Sequence, residues 1–335
     1  QWVDQMRKRM LNKVHKQEVK MKKILFIFGT RPEAIKMAPL IRELRSRFDA
    51  FDVKVCVTGQ HKEMLYQVLD FFSIIPDYDL EVMKPNQTLF GVTASIFDKL
   101  EPVLNEVEPD IVLVQGDTTS VLAGAISAFY KKIKIGHLEA GLRSGDMYSP
   151  FPEEMNRVLV SRLADYHFAP TEHAKNALLA ENIDQDKVYL TGNTVIDALV
   201  LAVEIVEKQD QSEYEKVVGG VDMNKRIVLV TGHRRESFGG GFEGMCRAIR
   251  RIAEENQDVE VVYPVHLNPN VQEPVRRLLG NVPNVHLINP LEYPNLVWLM
   301  NKSYLVLTDS GGIQEEAPTL GKPVLVMRDV TERQE

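Results

Sequence analysis

Short runs of apolar and β-branched residues alternate with amphipathic stretches along the whole of this sequence. The runs have the length of buried strands, and the stretches between them repeat apolar residues at helical spacing. The predicted strands, in chain order, are 23–28, 53–58, 111–115, 134–137, 166–169, 188–191, 227–231, 259–264, 285–288, 304–308 and 323–327. Because strands and helices alternate, the pattern predicts βαβ units, in which parallel sheets are covered on both faces.

The alternation is interrupted once, in the middle of the chain. A helix is predicted over 194–207, and the segment after it is polar and poor in core residues. A new strand–loop–helix series then begins at Ile227. We therefore predict an α/β fold of two Rossmann-like domains, over 21–192 and 193–335, with parallel sheets that face each other across a cleft.

Both ends of the chain lie outside this alternation. Residues 1–20 place apolar side chains on roughly one helical face, which suits an N-terminal extension outside the fold or an amphipathic surface helix. We expect an extension, with the fold beginning at Met21. The chain ends soon after the last predicted strand, in a charged stretch. The second domain is therefore expected to be incomplete at its end.

Composition and charge exclude several classes of protein. Of the 335 residues, 44% are hydrophobic and 26% are charged, and the formal net charge is −7. A negative balance argues against a general nucleic-acid binder, which needs a basic surface. No apolar run approaches the roughly 18 residues of a membrane helix, and Cys56 and Cys246 cannot make a disulfide framework. Both cysteines lie in patterns typical of buried positions, and we expect a cytoplasmic protein with no membrane or nucleic-acid partner.

Candidate chemistry lies in the segments that follow the predicted strands, because open parallel sheets bind ligands beyond the carboxyl ends of their strands. After the first strand, Gly29 allows a tight turn, Arg31 begins a helix, and Lys36 follows about one turn later. Two cations beside free backbone N–H groups suit an anion. An ordinary exposed pair of cations explains the same two residues equally well.

Three carboxylates follow other strands of the first domain: Asp117, Glu139 and Glu153. Asp117 alone suits a helix N-cap, and Glu153 alone suits the first turn of a helix. Glu139, directly beyond a buried strand, is harder to explain as a cap. Together the three are expected on one rim of the sheet, where neighbouring acids push their pKa values apart, as proton transfer requires.

The second domain has candidate anion-binding residues of its own. His233 follows the first strand of that domain and is itself followed by Arg234, a cluster that favours a negatively charged ligand over a structural histidine. Further along, Ser310-Gly311-Gly312 precedes a helix that carries Glu316 in its first turns. Small residues at a helix start let backbone N–H groups approach a phosphate, and Glu316 could accept hydrogen bonds from ribose hydroxyls. The pattern indicates a nucleoside diphosphate.

Three other motif matches are discounted. The segment 239–244 fits G-x-G-x-x-G, but it lies too far beyond its strand for a dinucleotide-binding turn. The D-x-D sequences at 77–79 and 184–186 lie in polar connections and offer too few ligands for a metal ion. Because the sequence also has no C-x-x-C or H-E-x-x-H motif, we predict neither a metal nor a cofactor.

Six motifs, taken in order, resemble those of the non-hydrolysing UDP-N-acetylglucosamine 2-epimerases. They are GTRPEA at 29–34, GDTTS at 116–120, HLEAGLR at 137–143, PEE at 152–154, TGHRRE at 231–236 and DSGG at 309–312. The resemblance runs from Met21 to the end of the chain. It implies a GT-B-like fold and the interconversion of UDP-GlcNAc and UDP-ManNAc without metal or nicotinamide. It also implies a cytoplasmic homodimer that supplies ManNAc units for surface polysaccharide.

The resemblance implies roles for individual residues by their positions in these motifs. The implied catalytic set is Asp117, Glu139, Glu153 and His233. The implied substrate-binding set is Arg31, Lys36, Arg143, Arg234, Ser310, Gly311, Gly312 and Glu316. Bacterial members often bind a second UDP-GlcNAc as an activator through a Gln-x-x-Gln pair. Here that pair reads Gln60 and Glu63, with His61 beside Gln60, and a regulatory site is a hypothesis.

The implied chemistry has a physical basis. The hydrogen on C2 of the sugar has no adjacent carbonyl and is not acidic in the ground state. If UDP leaves C1 first, the ring gains oxocarbenium character and the C2 hydrogen becomes acidic. The cations would stabilise the departing diphosphate, and the carboxylates would divide the acid and base roles. The expected intermediate is 2-acetamidoglucal.

Three other functions remain open at this point. A hydrolysing epimerase, which releases ManNAc and UDP, would share most of these motifs. A GT-B glycosyltransferase would need an acceptor pocket and uses fewer acids. A non-catalytic sugar-nucleotide-binding protein would have no need of the carboxylates.

Overall fold

The computed structural model describes residues 21–59, 62–84, 87–232 and 240–328. The chain divides into two compact units, 1–198 and 199–335, which we call unit 1 and unit 2. The division falls inside the helix that begins at Thr194, a little beyond the boundary predicted between 192 and 193. The predicted N-terminal extension, 1–20, lies outside the described residues.

Unit 1 alternates strands with helices along its length. Its strands are β1 Lys22–Phe28, β2 Phe51–Val57, β3 Tyr78–Asp79, β4 Ile111–Gln115, β5 Lys134–Leu138, β6 Tyr166–Ala169 and β7 Val188–Leu190. Its helices are α1 Arg31–Ser46, α2 Lys62–Phe71, α3 Leu89–Val107, α4 Thr119–Tyr130, α5 Glu153–Leu163 and α6 Glu172–Ala180, with a 3₁₀ turn at Gln185–Lys187. Helix α7, Thr194–Glu207, continues into unit 2.

The strands of unit 1 form one parallel sheet in the order β3-β2-β1-β4-β5-β6-β7. The central strands β1 and β4 contain continuous apolar runs, at 24–28 and 111–114, because helices cover both faces of the sheet, and all residues of these runs are buried. One core cluster joins Leu25 and Val112 of the sheet to Ile96 and Leu100 of α3. The chain order reverses between β1 and β4, and the carboxyl edge at such a reversal is where ligands bind in this class of sheet.

Unit 2 is built in the same way on a smaller sheet. Its strands are β8 Arg226–Thr231, β9 Val259–Pro264, β10 Val285–Ile288, β11 Leu305–Thr308 and β12 Val324–Val326, paired in parallel in the order β10-β9-β8-β11-β12. Its helices are α8 Gln211–Val218, α9 Gly240–Glu255, α10 Pro269–Leu279, α11 Tyr293–Lys302 and α12 Gly311–Thr319. The prediction of two Rossmann-like units with parallel sheets is confirmed.

Two connections differ from the sequence-based expectation. Tyr78–Asp79, expected in a polar connection, forms the edge strand β3, and Asp77 beside it is tied to Arg45 and Lys54 by salt bridges. The polar segment after α7 contains helix α8, whose buried Tyr214 stacks on Trp298 at 5.7 Å between ring centroids. Both elements are short and bury few side chains, so their apolar signal is weak.

The described part of the chain has no helix long and apolar enough to cross a membrane. Within the same residues, no cluster of three or more His, Cys, Asp or Glu side chains is arranged to hold a metal ion. Cys56 and Cys246 are both buried and unpaired, as predicted.

Candidate active site

The loop between β1 and α1 is organised by the side chain of Glu33. Its carboxylate is 2% exposed and accepts hydrogen bonds from the backbone N–H groups of Gly29 at 2.7 Å and Thr30 at 2.9 Å. Thr118, which begins helix α4, donates its hydroxyl to the other carboxylate oxygen. Burial raises the pKa of Glu33, while these hydrogen bonds act in the opposite direction. The loops after β1 and β4 are therefore held together at the carboxyl edge.

Gly29 is required by the packing of this edge. A Cβ placed on it would lie 2.0 Å from Thr58 Oγ1 and 2.6 Å from Ser120 Oγ. These two hydroxyls lie 2.7 Å apart and hydrogen-bond each other. The tight turn predicted at Gly29 thus reflects a close approach of three chain segments.

Arg31 and Lys36, predicted as an anion-binding pair, have different surroundings. Arg31 is half-buried at the start of α1, and no described residue hydrogen-bonds its side chain. Lys36 Nζ lies 2.6 Å from each of the two carboxylate oxygens of Glu139. The structure therefore joins Lys36 to one of the three predicted acids.

Glu139 follows β5 directly and has a positive φ of 59°, a conformation that is uncommon for residues other than glycine. Besides Lys36, its carboxylate accepts a hydrogen bond from Gln115 Nε2 at 2.5 Å. Gln115 ends the neighbouring strand β4 and is 2% exposed. Sequence reasoning missed Gln115, because an amide at the end of an apolar strand carries no signal of its own.

Asp117 does not cap helix α4, because the N-cap residue is Thr118. Its carboxylate oxygen Oδ2 instead accepts hydrogen bonds from two nitrogen atoms of Arg157, Nε at 3.2 Å and Nη2. Arg157 lies in helix α5 and was not found by sequence reasoning. Asp117 and Glu139 follow the adjacent strands β4 and β5, so both predicted acids lie on one edge of the sheet and each contacts a cation.

Glu153 and Glu154 begin helix α5 but have different surroundings. Glu153 is half-buried, at the end of the helix where carboxylates are favoured by the dipole. Glu154 is 2% exposed and accepts hydrogen bonds from the backbone N–H groups of Ser144 and Gly145, all at 3.1 Å. Glu154 therefore fixes the loop after β5, and Glu153 is the one whose carboxylate has no hydrogen-bond partner in the described residues.

His137, inside strand β5, is a fully buried neighbour of this edge. Its Nε2 lies 2.8 Å from the carbonyl oxygen of Gly116, the residue before Asp117. Burial lowers the pKa of His137 to about 4, so the ring is neutral at pH 7 and donates Nε2–H to this carbonyl. Gly116 itself has a φ of 81°, which favours glycine.

Arg143, implied as a substrate contact, is engaged within unit 1. Its guanidinium makes a two-point contact with Glu181, at 2.6 and 3.0 Å, and also donates to Ser161 Oγ at 2.9 Å. The hydrogen bond from Arg143 keeps the pKa of Glu181 below its ordinary value. In this structure Arg143 anchors the loop after β5 to α5 and the end of α6.

A shallow recess opens beside Glu139 at the carboxyl ends of β5, β6 and β7. Its lining residues are Leu138, Glu139, Phe168, Thr191, Gly192, Asn193 and Thr194. Glu139 therefore lines a recess within unit 1.

In unit 2, the start of helix α12 has the form expected for phosphate binding. Ser310 is the N-cap residue, but its side chain caps no backbone N–H group, and Gly312 is exposed. A Cβ on Gly312 would lie 3.9 Å from both Ser310 Oγ and Glu316 Oε2. Thr308 holds the start of this loop. Its Oγ1 accepts hydrogen bonds from the Thr231 hydroxyl at 2.7 Å and from the backbone N–H of Ser310 at 3.0 Å. Ser310, Gly311, Gly312 and Glu316 are thus neighbours, as predicted.

The remaining predicted residues belong to the second domain's candidate anion site and to the hypothetical regulatory site. His233 and Arg234, and Gln60 and His61 of the hypothetical regulatory site, are outside the described residues. Glu63 is exposed in the first turn of α2.

Comparison with known proteins agrees with these features. The family model of UDP-N-acetylglucosamine 2-epimerase matches residues 42–335. A UDP-N-acetylglucosamine 2-epimerase of Salmonella typhimurium is 58% identical over 315 residues, which cover 93% of this chain and 84% of that protein.

Two solved structures have the same fold with sugar nucleotides bound. The UDP-GlcNAc 2-epimerase of Neisseria meningitidis bound to UDP-GlcNAc is 52% identical, has a TM-score of 0.82, and aligns over 93% of this chain and 84% of that one. The enzyme of Methanocaldococcus jannaschii in complex with UDP-GlcNAc and UDP is 34% identical, has a TM-score of 0.71, and aligns over 93% of this chain and 85% of that one. With the model match and these identities, the chain belongs to the UDP-N-acetylglucosamine 2-epimerase family.

Proposed function

We propose that this chain reversibly epimerises UDP-N-acetylglucosamine at C2 to UDP-N-acetylmannosamine, without net hydrolysis. The observation that carries the proposal is the pair Asp117 and Glu139, which follow adjacent strands and have a cation against each carboxylate. Family membership supports the choice of substrate, because two relatives have been solved with UDP-GlcNAc bound.

The reaction proceeds by elimination and re-addition. The C1–O bond breaks first and its electron pair leaves with UDP, which gives the ring oxocarbenium character. A carboxylate then removes the C2 proton, and the electron pair of the C2–H bond forms the C1=C2 double bond. The product of this step is 2-acetamidoglucal. In the return step, a proton is delivered to the opposite face of C2 and an oxygen of the UDP diphosphate re-forms the bond to C1. Because the hydrogen at C2 leaves and returns as a proton and no step transfers a hydride, this route needs no nicotinamide.

Asp117, Glu139 and Glu153 divide the acid and base roles. The first two stand at the carboxyl edge of the sheet, and Glu153 begins α5, the helix whose Arg157 contacts Asp117. General acid–base groups contribute about 10²- to 10⁴-fold each. Asp117→Asn or Glu139→Gln should therefore lower turnover by about 10²-fold or more, and near-wild-type turnover would remove that residue from the mechanism.

The diphosphate is held by cations and by a helix start. Arg31 and His233 stabilise the departing diphosphate, and Lys36 and Arg234 belong to the substrate-binding set that family membership implies. Ser310, Gly311 and Gly312 bind phosphate oxygens at the positive end of the α12 dipole, the two glycines through their backbone N–H groups, and Glu316 accepts hydrogen bonds from the ribose. Arg143 acts through the loop that it anchors.

Incubation of the protein with UDP-GlcNAc in D₂O tests the proposal. UDP-ManNAc with deuterium at C2 is the expected product, because the proton removed from one face exchanges with solvent before the other face is protonated. Free ManNAc with UDP would identify a hydrolysing epimerase instead. Binding of UDP-GlcNAc without isotope uptake would identify a sugar-nucleotide-binding protein.

Three further features belong to this proposal as family expectations. The protein acts as a cytoplasmic homodimer, and its product supplies ManNAc units for surface polysaccharide. A second UDP-GlcNAc bound near Gln60, His61 and Glu63 activates it.

A further inference from the structure

Asp117 is held through only one of its two carboxylate oxygens. Arg157 directs both Nε, at 3.2 Å, and Nη2 to Oδ2. Within the described residues, Oδ1 accepts no hydrogen bond. Rotation of a carboxylate about its last torsion is broad and roughly two-fold in the absence of contacts. Two donors on one oxygen remove that freedom and determine which oxygen points away from Arg157.

The backbone of Asp117 is held by the residue next to Arg157. Asn156, which is 4% exposed, donates its Nδ2–H to the carbonyl oxygen of Asp117 at 2.8 Å. Consecutive residues of α5 therefore fix the main chain and the side chain of Asp117, although they lie about 40 positions away in sequence. With a contact to the backbone alone, the side chain of Asp117 could still rotate, and with a contact to the side chain alone, its backbone could still move.

Arg157 is itself held on the side away from Asp117. Its Nη1 lies 2.6 Å from Glu154 Oε2, and the Glu154 carboxylate is fixed in turn by the backbone of Ser144 and Gly145. The side chains of Arg157 and Glu154 are only 13% and 2% exposed. Burial lowers the pKa of Arg157, but the two carboxylates outweigh it and leave the pKa raised. One edge of the guanidinium, at Nη1, thus contacts Glu154, and the edge formed by Nε and Nη2 contacts Asp117.

We propose that Arg157 is a positioning residue of the reaction, which acts by directing Oδ1 of Asp117 toward the sugar. The proposal rests on the proposed function, in which Asp117 exchanges a proton with the substrate. Proton transfer needs its donor and acceptor at hydrogen-bond distance, and a misplacement of about 1 Å can cost about 10²-fold. A planar fork with a fixed charge can hold two carboxylates at once, whereas an ammonium group cannot reproduce both contacts.

Kinetics of the full chain with UDP-GlcNAc test the proposal. Arg157→Gln should lower kcat by about 10²-fold and change KM by less than about threefold, because only the geometry of the reacting carboxylate is altered. Arg157→Lys should recover part of this loss and remain about tenfold below wild type. Arg45→Gln is the matched control, since Arg45 makes a partly exposed ion pair with Asp77 at 2.9 Å elsewhere in unit 1. It should leave kcat unchanged.

A double-mutant cycle separates positioning from a general loss of structure. In an Asp117→Asn background, Arg157→Gln should reduce C2 deuterium exchange by less than about twofold, because its effect passes through Asp117. An equal loss in both backgrounds would overturn the proposal, as would a kcat for Arg157→Gln within about threefold of wild type.

Two further outcomes are informative. If Arg157→Gln does not fold, as judged by circular dichroism, Arg157→Lys decides: wild-type kcat in that variant overturns the proposal. If the wild-type protein forms no UDP-ManNAc, the proposed function fails, and the positioning role that rests on it fails as well. An active wild type with an unaffected Arg157 variant rejects the positioning role alone.

Discussion

Lys36 Nζ lies 2.6 Å from each carboxylate oxygen of Glu139, which links the second turn of α1 to the residue that follows β5. The two side chains are 20% and 9% exposed, so this ion pair is largely shielded from solvent. Sequence patterns assigned these residues to separate tasks, anion binding and proton transfer. Their contact means that a change to Lys36 also changes the environment of the proposed catalytic Glu139.

Lys36→Met should therefore reduce stability as well as turnover. Removal of the ammonium group takes a cation away from the largely shielded carboxylate of Glu139, which costs roughly 1–3 kcal/mol after allowance for partial exposure. Urea unfolding measures this free energy. The double variant Lys36→Met with Glu139→Gln should be more stable than the sum of the single changes predicts, because position 139 then no longer carries the charge that Lys36 stabilises. If the stability change of the double variant equals the sum of the changes in the two single variants, the two side chains do not interact.

Gly29→Ala should destabilise unit 1. The new Cβ would lie 2.0 Å from Thr58 Oγ1 and 2.6 Å from Ser120 Oγ, so at least one of these side chains would have to move. Such a movement weakens the local packing and the hydrogen bond between the two hydroxyls. Overpacking of this kind costs about 1–3 kcal/mol. Thermal unfolding provides the measurement, with Gly244→Ala in helix α9 as the control, because no atom lies within 4 Å of a Cβ at that position. The control should be neutral or slightly stabilised, and an equally neutral Gly29→Ala would contradict the structure.

Most of the fold could be predicted because its strands are buried on both faces. A central strand such as β4 is apolar from Ile111 to Val114, and its predicted bounds, 111–115, agree with the structure. The edge strand β3 has only Tyr78 and Asp79, and helix α8 buries only Tyr214 and Val218, so neither produces a pattern above its polar neighbours.

The candidate site could be predicted only as far as its residues follow strands. Asp117 and Glu139 were found because ligands bind where parallel strands end. Arg157 and Gln115 were missed, because their partners are distant in sequence: Arg157 contacts Asp117 across 40 positions, and Gln115 contacts Glu139 across 24. Local spacing holds no information about contacts that the fold creates.

Glu316→Gln should weaken UDP binding. Glu316 lies beside Gly312 at the start of α12, where the proposed nucleotide site places it against the ribose. A hydrogen bond to a charged acceptor contributes about 1.5–3 kcal/mol, so loss of the charge should raise the dissociation constant of UDP by roughly tenfold. Isothermal titration calorimetry with UDP measures the change. Glu213→Gln is the control, since Glu213 makes an exposed ion pair with Lys216 in α8. If Glu316→Gln binds UDP as tightly as Glu213→Gln does, Glu316 does not contact the nucleotide.

Two buried histidines on adjacent strands should make the stability of unit 1 depend on pH. His137 and His167 are register partners in β5 and β6. Burial lowers the pKa of each to about 4, below the value of about 6.5 for an unfolded chain. Between those values the unfolded state binds more protons than the folded state does. The stability contribution is therefore complete above about pH 6.5 and is lost progressively as the pH falls toward 4.

Each histidine should lower the free energy of unfolding by on the order of 1 kcal/mol per pH unit within that window. Urea unfolding at pH 7.5, 6.5, 5.5 and 4.5 on the full chain measures the slope, with buffers of about equal ionic strength. His137→Gln should reduce the slope, because an amide can still donate to the Gly116 carbonyl at 2.8 Å but does not titrate. His173→Gln, at an exposed position in α6, should leave the slope as it is in wild type. If His137→Gln and wild type lose stability in parallel, carboxylates rather than His137 determine the acid sensitivity of this unit.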